Sequence, residues 1–124
     1  MLDHVRPDFR ETAKALGAVM NFSAGQVLFR ENDPPRYVYF ILSGSVAVSI
    51  RGRVIETINE GEAVGLLSMV DDSARTVTAQ AREDCELALI DKKKFRYMVE
   101  AIPNFVWFVF RELGIRLRSA NAAI

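Results

Sequence analysis

Between Val19 and Asp91 the chain is cut into short runs rich in Val, Ile, Tyr, Phe and Thr. The cuts fall at Gly25, Asn32-Asp33-Pro34-Pro35, Gly44, Gly52, Gly61 and Asp71-Asp72-Ser73. Glycine, Asn and Asp supply the backbone conformations of tight turns, and β-branched and aromatic runs suit a pleated, half-buried surface. Tyr37 to Leu42, Val46 to Ile50 and Val54 to Ile58 read as consecutive strands, joined at Gly44 and at Arg51-Gly52-Arg53. Connections this short fit antiparallel hairpins. Thr76, Thr78, Gln80 and Arg82 alternate with Val77, Ala79 and Ala81, and Glu86 to Ile90 alternates as well. Evenly spaced short strands of this kind predict an antiparallel barrel or jelly roll.

Helical patterns flank this β region. Pro7 to Leu16 places Phe9, Ala13 and Leu16 at helical spacing, with Gly17 as a stop. Asp91 is a good N-cap for Lys92 to Ala101, where Phe95, Met98 and Val99 share a side, and Pro103-Asn104 breaks the chain before a last helix. The expected organisation is one domain over 1–124: a helix over about 7–16, a β-roll over about 19–91, and helices over about 92–101 and 105–121. No repeat or linker divides it. In the last helix Phe110, Leu113, Leu117, Ala120 and Ile124 follow alternating spacings of 3 and 4, a coiled-coil-like seam that predicts a homodimer. Phe108 and Ile115 form a second stripe. The competing assignment gives both stripes to the domain's own core.

Composition removes several functional classes. Sixteen Lys and Arg balance sixteen Asp and Glu, so the global basic field of a dedicated nucleic-acid binder is missing. Arg111, Arg116, Arg118 and Lys92-Lys93-Lys94 read as solvated faces. Cys85 is the single cysteine and His4 the single histidine, which excludes an intrachain disulfide and most zinc and triad chemistry. Cys85 reads as a small buried hydrophobe. No catalytic arrangement emerges, so the chain is expected not to be an enzyme and to need no metal or cofactor. The N-terminus lacks the basic-then-apolar order of a signal peptide, and Phe105 to Phe110 is too short to span a bilayer. A cytoplasmic protein without membrane contact is expected.

The stretch from Glu60 through Gly65 to Arg75-Thr76 is the most suggestive for chemistry. A glycine before a short helix-compatible run, Leu66-Leu67-Ser68-Met69-Val70, leaves the amides of Leu66 and Leu67 free for an anion. Arg75, between Ala74 and Thr76, could return a guanidinium to the same place and offer a phosphate a charged fork. Arg75 taken alone reads equally well as a surface ion pair with Asp71 or Asp72.

Three separated blocks then fall in order: Phe22-Ser23-Ala24-Gly25-Gln26-Val27-Leu28-Phe29-Arg30-Glu31-Asn32-Asp33, Tyr37 to Val46 with Ser43-Gly44-Ser45, and Gly61-Glu62-Ala63-Val64-Gly65 to Ala74-Arg75-Thr76-Val77-Thr78-Ala79. With Glu86 to Asp91 and Phe95 they cover almost the whole chain, and together they resemble the cyclic nucleotide-binding domain, in a stand-alone form of the catabolite-activator and Fnr-like sensor. The resemblance implies a mainly β fold with flanking α: an eight-stranded antiparallel β-roll, or jelly roll, with an N-terminal helix and two C-terminal helices. It implies that Arg75 pairs with the cyclic phosphate of cAMP or cGMP. The Leu66, Leu67 and Ser68 segment starts the cassette helix, Gly65 allows close backbone approach, and Thr76 offers a hydroxyl. Val64 and Val77 would be pocket wall, and Ala120 and Asn121 would lie where activator-type members contact the base.

One departure stands out, because the family places a Glu after the cassette glycine to bind the ribose 2′-hydroxyl, and here that position is Leu66. Loss of a hydrogen bond to a charged acceptor costs roughly 1.5 to 3 kcal/mol. Two functions therefore compete: a sensor of a cyclic nucleotide or related phosphorylated small molecule, signalling through its C-terminal helix to a protein partner, and a dimerisation module whose pocket has lost its ligand. Transcription factors of this type carry a helix-turn-helix after the long helix, whereas this sequence stops at Ile124, so direct DNA binding is not expected.

Overall fold

The computed structural model describes residues 8–122, with side chains through Ala120. The expectations placed on His4, Pro7, Ile124 and the Asn121 side chain lie outside the described residues. The elements run α1 (Arg10–Leu16), β1 (Ala18–Phe22), β2 (Val27–Phe29), β3 (Tyr37–Ser43), β4 (Val46–Ile50), β5 (Arg53–Ile58), β6 (Ala63–Val64), α2 (Leu66–Asp71), β7 (Thr78–Ala81), β8 (Cys85–Asp91), α3 (Lys92–Ala101) and α4 (Phe105–Ala122). Eight antiparallel strands form two four-stranded sheets, ordered β1-β8-β3-β6 and β2-β7-β4-β5. The fold class expected from the sequence is the one observed.

The first sheet is covered on both faces. Side chains alternate along a strand, so Tyr39, Ile41, Leu87, Leu89 and Val64 point to the second sheet while Val38, Phe40, Ala88, Ile90 and Ala63 point to the helices. The inter-sheet core adds Phe22, Phe29, Val46, Val48, Ile58, Ala79 and Ala81. The helix-side core is built on aromatics: Phe9 meets Phe105 and Phe108 edge-on, at 5.2 Å in each case, and Phe40 stacks on Phe108 at 5.7 Å. Phe108 thus belongs to the core, which both assignments of the helical stripes allow.

Local chemistry sets the element ends. The first helix starts at Arg10, three residues later than the spacing predicted; Phe9 is its N-cap, without a side-chain cap, and the Asp8 carboxylate just before it accepts the Arg10 amide at 3.0 Å. Phe9, Ala13 and Leu16 face the core as expected. Asp91 caps α3 by accepting the Lys94 amide at 2.8 Å, and Lys92 forms an ion pair with Asp72, which gives one of the three clustered lysines a specific partner. The strand expected over Thr76 to Arg82 pairs only from Thr78 to Ala81. Arg75 is instead tied by its backbone to Asn32 and Asp33, so Thr76 and Val77 bend away from the ladder. Gly44 turns β3 into β4 at φ +90°, where an added Cβ would sit 2.7 Å from the Asp84 carbonyl oxygen.

Candidate functional site

A cavity of about 450 Å³ opens between the second sheet, α2 and the C-terminal half of α4, a volume typical of small-molecule sites. Its walls are largely aliphatic, with Val48, Ile50, Ile55 and Ile58 from β4 and β5, Val64 and Leu66 around Gly65, Val77, and Leu113 and Leu117 from α4. Charge enters at two places: Arg75 on one side, and Glu56 with Arg116 on another.

Arg75 follows α2 and the loop through Ser73, and the loop folds it back under Gly65. Its side chain is only 3% exposed. Nη1 donates to the Gly65 carbonyl at 2.8 Å, Nη2 donates to the Tyr37 carbonyl at 2.5 Å, and the guanidinium lies 4.1 Å above the Phe29 ring. Nε is buried without a hydrogen-bond partner. Among the described residues Arg75 makes no salt bridge, so the surface pair with Asp71 or Asp72 is not formed; Asp71 instead accepts from Ser73, and Asp72 holds Lys92. Burial pulls the guanidinium below the usual arginine range, and the nearby Tyr39 and Asp33 oppose this only in part. A cation desolvated with neutral partners is an incomplete arrangement that an anion would complete.

Gly65 makes that approach possible. Its φ is +93°, and a Cβ there would lie 2.7 Å from Arg75 Nη1. Leu66 and Leu67 open α2, whose six residues give it little dipole, so the charge at this end comes from Arg75. Leu66 is buried among the helix-side core residues and also reaches the cavity wall. Leu67 is half exposed, and the Ser68 hydroxyl donates to the Ala74 carbonyl at 3.3 Å, closing the α2 loop.

At the other charged place three carboxylates surround one guanidinium. Arg116 Nη1 lies 2.7 Å from Glu56 Oε2, and its Nη2 lies 3.4 Å from Glu112 Oε1 and 3.8 Å from Glu62 Oε2. Ser119 donates to the same Glu56 oxygen at 3.2 Å, and the Ala63 amide donates to Glu112 at 3.0 Å. These contacts fasten α4 to β5 and β6 at the edge of the cavity. Arg116 is half-buried, which corrects its assignment to a solvated face.

Eight of the nine expected ligand-contacting residues, Val64, Gly65, Leu66, Leu67, Ser68, Arg75, Thr76 and Val77, line this cavity. Asn121, the ninth, has its side chain outside the described residues. Of the expected seam, Phe110 stands exposed beside Trp107, their rings 5.7 Å apart, and Leu117 and Ala120 are exposed at the cavity rim, while Leu113 lines the cavity and packs on the core. The helix is rotated this way because its first turns must bury Phe105, Phe108 and Val109. Glu56, Arg116 and Ser119 were not singled out as site residues from the sequence. The available signals were the two-residue step from Glu56 to inward-facing Ile58, and the helical steps of three and four residues from Leu113 and Glu112 to Arg116.

Residues 19–101 match the model of the family described as "Cyclic nucleotide-binding domain". The chain is 35% identical over 95 residues to Rap guanine nucleotide exchange factor 3 of Homo sapiens, covering 75% of this chain and 10% of that protein. It is 24% identical over 112 residues to the cAMP-activated global transcriptional regulator CRP of Salmonella typhimurium, covering 86% of this chain and 53% of the regulator. The chain therefore spans a small part of the first relative and about half of the second. Its fold is similar to that of the Thermus thermophilus catabolite activator protein, with a TM-score of 0.78 at 23% identity over 98% of this chain and 60% of that one. With the family model covering most of its length and every strand of the β-roll in place, the chain belongs to the cyclic nucleotide-binding domain family.

Proposed function

We propose that this domain is a ligand sensor whose cavity takes cAMP, cGMP or a related phosphorylated small molecule, with the phosphate at Arg75. The observation that carries the reading is Arg75: its guanidinium is buried, hydrogen-bonded only to neutral carbonyls and with Nε unpartnered, and the residue lines a largely apolar cavity. Aliphatic walls suit the faces of a base, and Gly65, Leu66, Leu67, Ser68 and Thr76 surround the charged end. The role is regulatory and not catalytic. Ligand that contacts both Arg75 and α4 shifts α4 toward the arrangement it binds better, and a protein partner reads the change. Such a sensor acts where these nucleotides are made, in the cytoplasm, and the reading assigns no DNA contact to the described residues.

Titration with cAMP and cGMP by calorimetry, beside Arg75→Ala, tests this. Saturable binding that disappears in the variant is the expected result. No heat and no thermal shift up to millimolar nucleotide would sink it.

A second reading has its own observation. Trp107 and Phe110, 65% and 57% exposed, form an aromatic pair on the outer face of α4. The domain on this reading forms a homodimer through α4, and Leu66 in place of the usual acidic residue supports a module that has given up its ligand.

A further inference from the structure

Leu66 leaves the cassette side of the cavity without a carboxylate, yet a carboxylate is present in the same cavity. Glu56 reaches it from β5, beside Ile55 and opposite α4. We propose that Glu56 reads the base of the bound nucleotide and makes the cavity select guanine over adenine. This rests on the sensor reading above and names the ligand that site prefers.

The argument starts from what Glu56 already does. Among the described residues its hydrogen bonds, from Arg116 at 2.7 Å and Ser119 at 3.2 Å, both go to Oε2. Oε1 is left as an acceptor, and an ionised carboxylate can accept about four hydrogen bonds in all. The side chain is held in place from α4 and is largely shielded from water, with 13% of it exposed. It is therefore a fixed acceptor on a wall that is otherwise mainly aliphatic.

A ligand group placed there must donate. The guanine edge carries N1–H and the N2 amino group side by side, two donors for the two acceptor sites left on Oε1. Its O6, next to N1, takes a donor, and Arg116, whose guanidinium carries five N–H groups, stands beside Glu56 to give one. Adenine presents a single amino group next to the N1 lone pair, so one of the two Oε1 sites would face a lone pair instead of a hydrogen. Bidentate recognition of this type discriminates between bases by about tenfold or more. Arg75 at the phosphate does not distinguish the two nucleotides, so the choice falls to this end.

The test is calorimetric titration of wild type and Glu56→Gln with cGMP, cAMP and inosine 3′,5′-cyclic monophosphate, which keeps N1–H and lacks the 2-amino group. Wild type should bind cGMP at least about tenfold more tightly than cAMP, with the inosine nucleotide between them. Glu56→Gln should bring the cGMP-to-cAMP ratio to within about twofold, because an amide offers one acceptor and one donor. A ratio taken within one protein does not depend on a general loss of affinity, and if the variant fails to fold, the order of the three nucleotides on wild type still decides. Wild type binding cAMP as tightly as cGMP, or a ratio unchanged in Glu56→Gln, overturns the assignment. If the nucleotides bind and Arg75→Ala abolishes binding, the sensor reading survives that failure; if wild type binds none of them, both fall.

Discussion

Gly65 and Arg75 depend on each other. The glycine sits at φ +93°, and any Cβ there would meet the Arg75 guanidinium at 2.7 Å. Gly65→Ala should therefore cost about 1–3 kcal/mol in urea unfolding, from the strained backbone, and should weaken ligand binding by moving Arg75. Leu66 carries two roles. In the sequence it is the missing ribose acceptor, and Leu66→Glu simply restores one. In the structure it is also buried beside the helix-side core. The substitution should lower the melting temperature of the ligand-free protein, by about 2 kcal/mol or more in stability, while enlarging the upward shift that cyclic nucleotide produces. Thermal scans with and without nucleotide separate the two effects. Cys85 behaves as the sequence suggested: it is 4% exposed, its thiol lies 3.2 Å from the Ser45 and Glu83 carbonyls, and burial pushes its pKa up. Its reaction with a thiol reagent at neutral pH should be slow until denaturant is added.

At the scale of elements, α4 is held in two different ways. Its first turns are anchored by aromatic packing on Phe9 and Phe40, and its later turns by the Arg116 cluster over the cavity. Phe9→Ala should destabilise the whole fold by about 3–5 kcal/mol. Arg116→Ala should have a local effect: faster amide exchange in the last turns of α4, with the protection of β3 and β8 unchanged. Protection lost equally throughout the molecule would show that the cluster holds the fold and not the helix end. The sequence made the existence of α3 and α4 plain, through Asp91, Pro103 and the apolar spacing. It did not fix their rotation. Phe110, Leu113 and Leu117 carry the same spacing whichever way the helix is turned, and the need to bury Phe105, Phe108 and Val109 sets which of them lines the cavity. The continuous run Tyr37 to Leu42 was read as a strand, and its lack of alternation has its cause here: both faces of β3 are covered.

For the whole molecule, the two surfaces on which the functional readings turn are the charged, partly enclosed cavity beneath α4 and the exposed Trp107 and Phe110 pair. If α4 joins two copies, Trp107 and Phe110 are better probes than Leu113, which also packs against the core and lines the cavity. Wild type should sediment as a dimer and Phe110→Asp as a monomer of unchanged stability; a wild type that stays monomeric at high concentration removes the dimer. The count of eight strands came with the family resemblance, whereas the strands from Tyr37 to Ile58 and near Thr78 and Glu86, the turns at Gly44 and Gly52, the Asp91 cap and the pairing of Gly65 with Arg75 were legible in the sequence, because each rests on local backbone preferences or on short-range spacing. The place of Glu56 was not. It comes from β5 and meets Arg116, sixty residues later, on α4. No local propensity encodes that distance. What brings the two together is the closure of α4 over the second sheet, and so only the tertiary structure decided which carboxylate the cavity received in place of the one missing at Leu66.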